Sequence, residues 1–319
     1  MKFIKPYFEI LPQGEGLDGV YKQIEIAGRT CYKSTDRISE NSAEAFTQRM
    51  IDSKHGAMCE HGTVYLKIDK YSNDGEGPLI KQGIINEYKH NEYSYVKETN
   101  TAGYITTNYR VLIENKWLDD LKYMVKPTRY HEKRVTVRFH MDRIGTQSCV
   151  RHRTMSFGQE STRFVNYSKD RFGKEVNFSI PSWTNEEDIN EAYKNKQMIL
   201  DVYHNFLYDK FNSDENKEDI KFEIYHPLFY WLAVNEFTEW SYMKLIECGM
   251  KAEQARVVLP GGIDSEIVIT GSIRAWKAFF DLRHFGTTGT PHPDIKALAS
   301  GLYEEFINKG FIERKETLS

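Results

Sequence analysis

The stretch Lys133–Asp142, KRVTVRFHMD, constrains the fold more than any other part of the sequence. Val135, Val137, Phe139 and Met141 alternate with polar residues, the period of a strand that turns one face to a core. A helix would scatter these four side chains around its circumference. The segment therefore demands a sheet. Shortly afterwards the chain enters RHRTMSFGQESTR, Arg151–Arg163, where three arginines and a histidine meet one carboxylate, Glu160. Gly158 and the hydroxyls of Ser156, Ser161 and Thr162 oppose a continuous helix there, so a helix ending near Arg153 should give way to a loop.

Elsewhere the pattern is largely helical. After a short apolar strand, DGVYKQIEIAGRTCYKS and NSAEAFTQRMIDSKHGAM read as helices, the second closing near Gly56. Thr63–Ile68 alternates as a strand does. From Asp69 to about Tyr130 the text is polar and tyrosine-rich and reads as an insertion, with a helix around NYRVLIENKWLDDLKYMV. Its GYITTNYRVL suits a hairpin or helix at a subunit edge, or equally a solvated flap. VNFSIPSW is a strand, and helical periodicity runs through NEEDINEAYKNKQMILDVYHNFLYDKF to the charged loop NSDENKED. Further helices are expected at Tyr225–Cys248, Lys251–Leu259, Ser272–Arg283 and Asp294–Lys309. The fold class is α+β, or mixed α/β, with helices predominating toward the C-terminus.

The chain carries 43 basic and 46 acidic residues, a formal net charge of −3, so nothing draws it generally to nucleic acid or an anionic membrane. Any anion site must be local. Cys31, Cys59, Cys149 and Cys248 stand far apart, which fits reduced thiols in a cytoplasmic protein. No basic leader with an apolar run opens the sequence and no stretch approaches a membrane span, so the protein reads as soluble and unexported. HExxH spacing and paired His/Cys sets are absent, which argues against zinc, and the common glycine-rich phosphate loops are missing. Cationic neighbours would activate a thiol at Cys149, but a small core residue is the commoner role.

For any one arginine of the opening stretch, a solvated face is the commoner placement. Two downstream arginines weaken that account. Ala252, Ala255 and Leu259 put Arg256 on the buried side of a short helix, and Ile273, Trp276 and Phe280 define a stripe on which Arg283 also falls. Inward arginines need anionic partners: a carboxylate, a ligand or a neighbouring subunit. Arginine's planar fork matches phosphate oxygens, and hydroxyls complete such a cradle.

Arg151-His152-Arg153, followed by seven residues and Ser161, resembles the signature of the flavin-dependent thymidylate synthases. QESTRF, EHGTVYLKI, EQARVVLP, TGSIRAWKAFFDLR and AGRTCYKS stand in that family's order. The resemblance spans most of the chain outside the insertion. It implies one domain over residues 1–319, a mixed α/β fold with a central antiparallel sheet flanked by helices, and active sites at homotetramer interfaces. It also implies FAD, with NADPH and 5,10-methylenetetrahydrofolate as co-substrates, and reductive methylation of deoxyuridine monophosphate (dUMP) to thymidine monophosphate without a cysteine nucleophile or a metal.

Carried over by motif, substrate contacts fall on Arg151, Gln159, Glu160, Ser161, Arg163, Arg256 and Arg283, with Ser161 and Arg283 catalytic. Flavin contacts fall on Glu60, His61, His152, Arg153, Arg274 and His292, with Cys31, Cys59 and Ser272 beside them. The chain departs from the pattern at Ser148, where a Glu or Gln is usual and Gln147 could substitute, and at Ser272 and Ala278. A noncatalytic nucleotide- or RNA-binding protein is the alternative, since arginines with tyrosines also suit single strands. A purely structural oligomer, its inward arginines paired across subunits, is a third.

Overall fold

The alternating stretch is a strand, Arg134–Asp142, and Val135, Val137, Phe139 and Met141 are all buried. It belongs to a computed structural model that describes residues 1–71, 77–211 and 226–315. In chain order the first half holds β1 (Lys2–Ile4), β2 (Tyr7–Leu11), α1 (Gly16–Cys31), α2 (Ala43–Asp52), β3 (Thr63–Asp69), α3 (Pro78–His90), β4 (Tyr95–Glu98), β5 (Ala102–Asn108), α4 (Tyr109–Asn115), β6 (Arg134–Asp142) and α5 (Arg143–Cys149). The second half holds β7 (Ser156–Gln159), β8 (Asn177–Ser179), α6 (Glu186–Lys194), α7 (Lys196–Phe211), α8 (Pro227–Glu247), α9 (Ala252–Ala255), β9 (Asp264–Ser272), α10 (Ile273–Phe280) and α11 (Pro293–Asn308). Among the described residues no helix is long and apolar enough to cross a membrane.

The residues group into two compact units. The larger comprises Tyr7–Phe139, Thr146–Glu160 and Glu266–Ser319. It contains most of a four-stranded sheet of order β2-β6-β9-β7 and an antiparallel sheet of order β3-β5-β4. Val20, Ile24, Phe46 and Leu66 share one buried cluster with Ile85, Tyr88, Ile105 and Leu112 of the insertion. GYITTNYRVL of the expected insertion, as β5 and the start of α4, thus packs into the core rather than forming a solvated flap. A second packing centre joins Trp276, Phe279, Phe280 and Phe306, and the Trp276 indole donates to the Val135 carbonyl at 3.0 Å. The smaller unit, Met1–Pro6, His140–Gly145 and Ser161–Ser265, contains the parallel pair β1–β8 and helices α6 to α9 around two apolar clusters.

Several boundaries differ from the sequence expectation. The antiparallel sheet expected to be central is joined by two further sheets. α2 stops at Asp52 rather than near Gly56, because Lys54 takes the left-handed turn (φ 57°) and a 3₁₀ segment, Gly56–His61, follows. The helix expected around NYRVLIENKWLDDLKYMV ends at Asn115, where Lys116 adopts φ 63°. α5 ends at Cys149 rather than Arg153, and Ser156–Gln159 is a strand rather than a loop. The long helix between Asn185 and Phe211 breaks at Asn195. The expected charged loop NSDENKED, and Tyr225 at the start of the next expected helix, lie outside the described residues.

His61 closes the 3₁₀ segment wholly buried, its Nδ1 2.8 Å from the Thr270 hydroxyl, which in turn lies 2.8 Å from that of Thr136. Burial, reinforced by the Arg134 cation, depresses its pKa to about 3. The unfolded chain, with an ordinary imidazole near pH ~6.5, therefore binds a proton that the folded chain refuses. Stability is complete above that pH and falls as pH drops toward 3; by pH ~5 the loss from this group is about 2 kcal/mol. Thermal melts between pH 7 and 5 should show a shallower acid decline in His61→Gln than in the parent; equal slopes would contradict the assignment. Phe139→Ala, emptying a fully buried position, should cost about 3–5 kcal/mol in denaturant unfolding, and a loss under ~1 kcal/mol would show that β6 does not anchor the core.

Candidate active site

The β7–β9 ladder sets the site. It is antiparallel, running from Ser156↔Thr270 to Gln159↔Ile267. Residues that precede β7 therefore lie at the same end as residues that follow β9. Arg153, Thr154 and Met155 accordingly share a cleft with Ser272, Arg274 and Ala278. Its volume is about 760 Å³, within the range of small-molecule sites. Ser272 caps α10, its hydroxyl accepting from the Ala275 N–H at 3.2 Å, so the helix start that carries Arg274 is fixed. Arg274 itself is 84% exposed in its side chain and reaches Glu132 only at 3.9 Å.

Arg134, opening β6, also lines this cleft. Its guanidinium donates to the Glu60 carbonyl at 3.1 Å and to the hydroxyls of Thr63 at 3.3 Å and Ser156 at 3.4 Å. No carboxylate of the described residues pairs with it. Burial lowers its pKa, yet an arginine keeps its proton at any physiological pH. All of its hydrogen-bond acceptors are neutral, while Glu60 and Glu132 favour the cation through their charge without pairing with it. The segment expected as an insertion also contributes Tyr93, Tyr95, Arg110 and Glu114 to the lining.

Arg283 repeats that pattern. It sits in a π-helical turn, Asp281–Phe285, that widens the end of α10. Its Nη2 donates to the Ser148 carbonyl at 2.6 Å, and its Nε donates to His152 Nε2 at 3.2 Å. An accepting Nε2 means a neutral imidazole with its proton on Nδ1. The electrostatics agree, since burial and then the Arg283 cation push His152 down to about 4. Arg283 is itself lowered, by burial first and also by Arg151, while both of its hydrogen-bond partners are uncharged. The Ser148 backbone thus makes the contact at the position where the motif departs, and the Gln147 side chain is exposed.

The other expected residues fall as follows. Arg151 and Arg153 are exposed in the turn between α5 and β7. Gln159 donates to the Thr146 hydroxyl at 2.7 Å. Glu160 is only 2% exposed and takes Lys33 Nζ at 3.1 and 3.3 Å. Cys31 is half-buried, its thiol raised by burial and then by the Glu160 charge. Cys59 has no exposed surface, and burial pushes its thiol up to about 11. Neither thiol is ionised at neutral pH. Glu60 lines the cleft, whereas His61 is enclosed behind it. His292 is exposed, capping the start of α11 with Asp294 3.6 Å away. In the smaller unit Arg256 Nη1 donates to the Thr162 hydroxyl at 3.2 Å, Arg163 is exposed, and the Ser161 hydroxyl accepts from the Arg163 N–H at 3.4 Å. Among the described residues no cluster of His, Cys, Asp and Glu could hold a metal.

Sequence reading passed over three residues. Arg134 lies on the polar phase of the strand whose apolar phase drew attention. Lys33 stands inside AGRTCYKS, but its partner is 127 positions away. Arg110 lies in the insertion, where the family pattern offers no guide.

Residues 130–309 match the family described as thymidylate synthase complementing protein. A flavin-dependent thymidylate synthase of Corynebacterium efficiens is 29% identical over 159 residues, which are 50% of each chain, so this chain spans half the length of that relative. One of Saccharolobus solfataricus is 24% identical over 242 residues, 76% of this chain and 72% of the relative. The solved structure of a UMP/dUMP methylase PolB from Streptomyces cacaoi, bound with 5-Br dUMP, aligns over 97% of this chain and 93% of its own at 15% identity and a TM-score of 0.40. The match at residues 130–309 covers more than half of the sequence and includes β6, the arginine-rich turn, β9 and α10: the chain belongs to the thymidylate synthase complementing protein family.

Proposed function

We propose that this protein is a flavin-dependent thymidylate synthase of the cytoplasm, methylating dUMP to thymidine monophosphate. The carbon comes from 5,10-methylenetetrahydrofolate and the reducing equivalents from NADPH through FAD, in a homotetramer. The observation that carries the reading is Arg283: a half-buried guanidinium, tied by a carbonyl and a neutral imidazole, with no carboxylate partner among the described residues. A cation so placed wants an anion from outside the chain. The ordered motifs name a pyrimidine nucleotide as that anion.

A flavin nucleotide fits the cleft beside it. Arg134 has only neutral hydrogen-bond acceptors and Arg274 a carboxylate no nearer than 3.9 Å, so both have charge to offer a pyrophosphate, as has Arg153. Glu60, Arg153, Ser272 and Arg274 would hold it, with His61, Cys59 and Cys31 shaping the wall behind and His292 and His152 completing the set. When bound and reduced, such a cofactor supplies the hydride.

The remaining work belongs to the protein. By motif, Arg151, Arg163 and Arg256 are the contacts to the phosphate, and holding a phosphate fixes the pyrimidine's position. By motif, Gln159, Glu160 and Ser161 are the contacts to the ring, and Lys33 holds the Glu160 carboxylate in place. Arg283 stabilises negative charge that develops on the pyrimidine as it is methylated. Its charge is undiminished by an internal carboxylate, which makes it more effective there. His152, neutral at working pH, fixes the Arg283 fork without competing for it.

Purified protein incubated with FAD, NADPH, the folate and dUMP labelled with tritium at the reacting carbon should release tritium; no release together with no flavin absorbance would defeat the proposal. Arg283→Ala should raise KM for dUMP by about tenfold or more with the assembly intact in sedimentation. A dissociated assembly with unchanged KM would instead support a structural role. Ser161→Ala should slow turnover by about tenfold or more, and a near-normal single-turnover rate would remove Ser161 from the machinery.

A further inference from the structure

The flavin reading accounts for one wall of the 760 Å³ cleft and leaves the insertion's wall unexplained. That wall is well built. α4 begins at Tyr109 under an Asn108 side-chain cap and presents Arg110, which donates to Glu60 at 2.6 Å and to Glu114 at 2.7 Å. Arg110 lies over Gly56, where a Cβ would stand 3.3 Å from its Nε. The insertion is therefore fastened to Glu60, a residue of the cofactor motif, by a charge-assisted bond.

Tyr93 and Tyr95 line the same wall at 68% and 37% exposure, and neither ring stacks on another aromatic side chain of the described residues. Tyr95 belongs to β4, an outer strand of its sheet, paired with Thr106, which also lines the cleft. Charge is unequal between the two sets of lining residues. The motif segments offer Arg134, Arg153 and Arg274 against Glu60, which Arg110 already holds, and Glu132, while the insertion offers Glu92 and Glu114 with Arg110 already neutralised. Phosphates belong with the first set. An uncharged ring with N–H donors belongs with the second, where aromatic faces stack it and carboxylates accept from it.

We propose that residues 92–114 form a recognition wall for the nucleobase end of the dinucleotide cofactor, Tyr93 and Tyr95 stacking the heteroaromatic ring and Arg110 holding the wall against Glu60. Arg110 acts as a positioning residue, not a catalytic one. The inference rests on the flavin reading above.

The test is equilibrium binding by quenching of flavin fluorescence, comparing FAD with FMN, which lacks the nucleobase end. The parent should bind FAD at least about tenfold tighter than FMN. Tyr93→Ala combined with Tyr95→Ala should lose that advantage while leaving FMN affinity within about twofold, and the corresponding Phe pair should restore it. Arg110→Ala should weaken FAD selectively, with Arg110→Lys recovering part of the loss. Unchanged FAD affinity in the Ala pair, or equal losses for FAD and FMN, would overturn the wall. If the parent binds neither flavin, the functional reading falls and this inference falls with it.

Discussion

The hydrogen-bonded ladder between β7 and β9 is the constraint on which the rest of the site depends. Because the strands are antiparallel, the turn carrying Arg151, His152 and Arg153 and the start of α10 meet at one end of the ladder. Arg134 reaches that end through Ser156, and His61 reaches it through Thr270, so β6 and the EHG segment are recruited by hydrogen bonds to the same two paired positions. α10 then runs on until its widened last turn returns Arg283 to Ser148 and His152. Residues more than 200 positions apart meet because one short ladder fixes its register.

The chain treats its buried cations in two ways, and the contrast indicates which serve the fold. Arg29 is paired with Glu25 at 3.0 Å and lies 4.6 Å over the Phe46 ring, with Ser42 holding the second carboxylate oxygen. That pair joins α1 to the region before α2 and has nothing left for a ligand. Arg134 and Arg283 are half-buried and hydrogen-bond only to neutral acceptors, with Glu60 and Glu132 acting on Arg134 through their charge alone. A cation without a hydrogen-bonded carboxylate keeps charge to offer a ligand.

Part of this was legible in the sequence. The β6 alternation survives because a period of two cannot be satisfied by a helix, and the inward lean of Arg283 follows from its spacing to Phe280. Helix ends were harder. Lys54 and Lys116 take left-handed conformations usually given to glycine, so no sequence signal marks those stops. The insertion misled for a different reason: its polar text hides a core in which the Tyr88 hydroxyl, buried, is satisfied by Asp120 at 2.9 Å. Arg134 carries no distinguishing sequence signal, because polar positions of a half-buried strand are normally assigned to water. Which neutral groups would tie Arg283 could not be read at all, since one of them is the backbone carbonyl of Ser148.

The central claim is that Arg283, left without an internal carboxylate, serves the ring of a pyrimidine nucleotide whose phosphate is held by Arg151, Arg163 and Arg256. Calorimetric titration of the flavin-loaded protein with dUMP and with deoxyuridine, which differs only in lacking the phosphate, tests it most directly. The account predicts that dUMP binds about a hundredfold or more tightly than the nucleoside and that the difference shrinks as salt is raised. Equal affinities, independent of ionic strength, would contradict it.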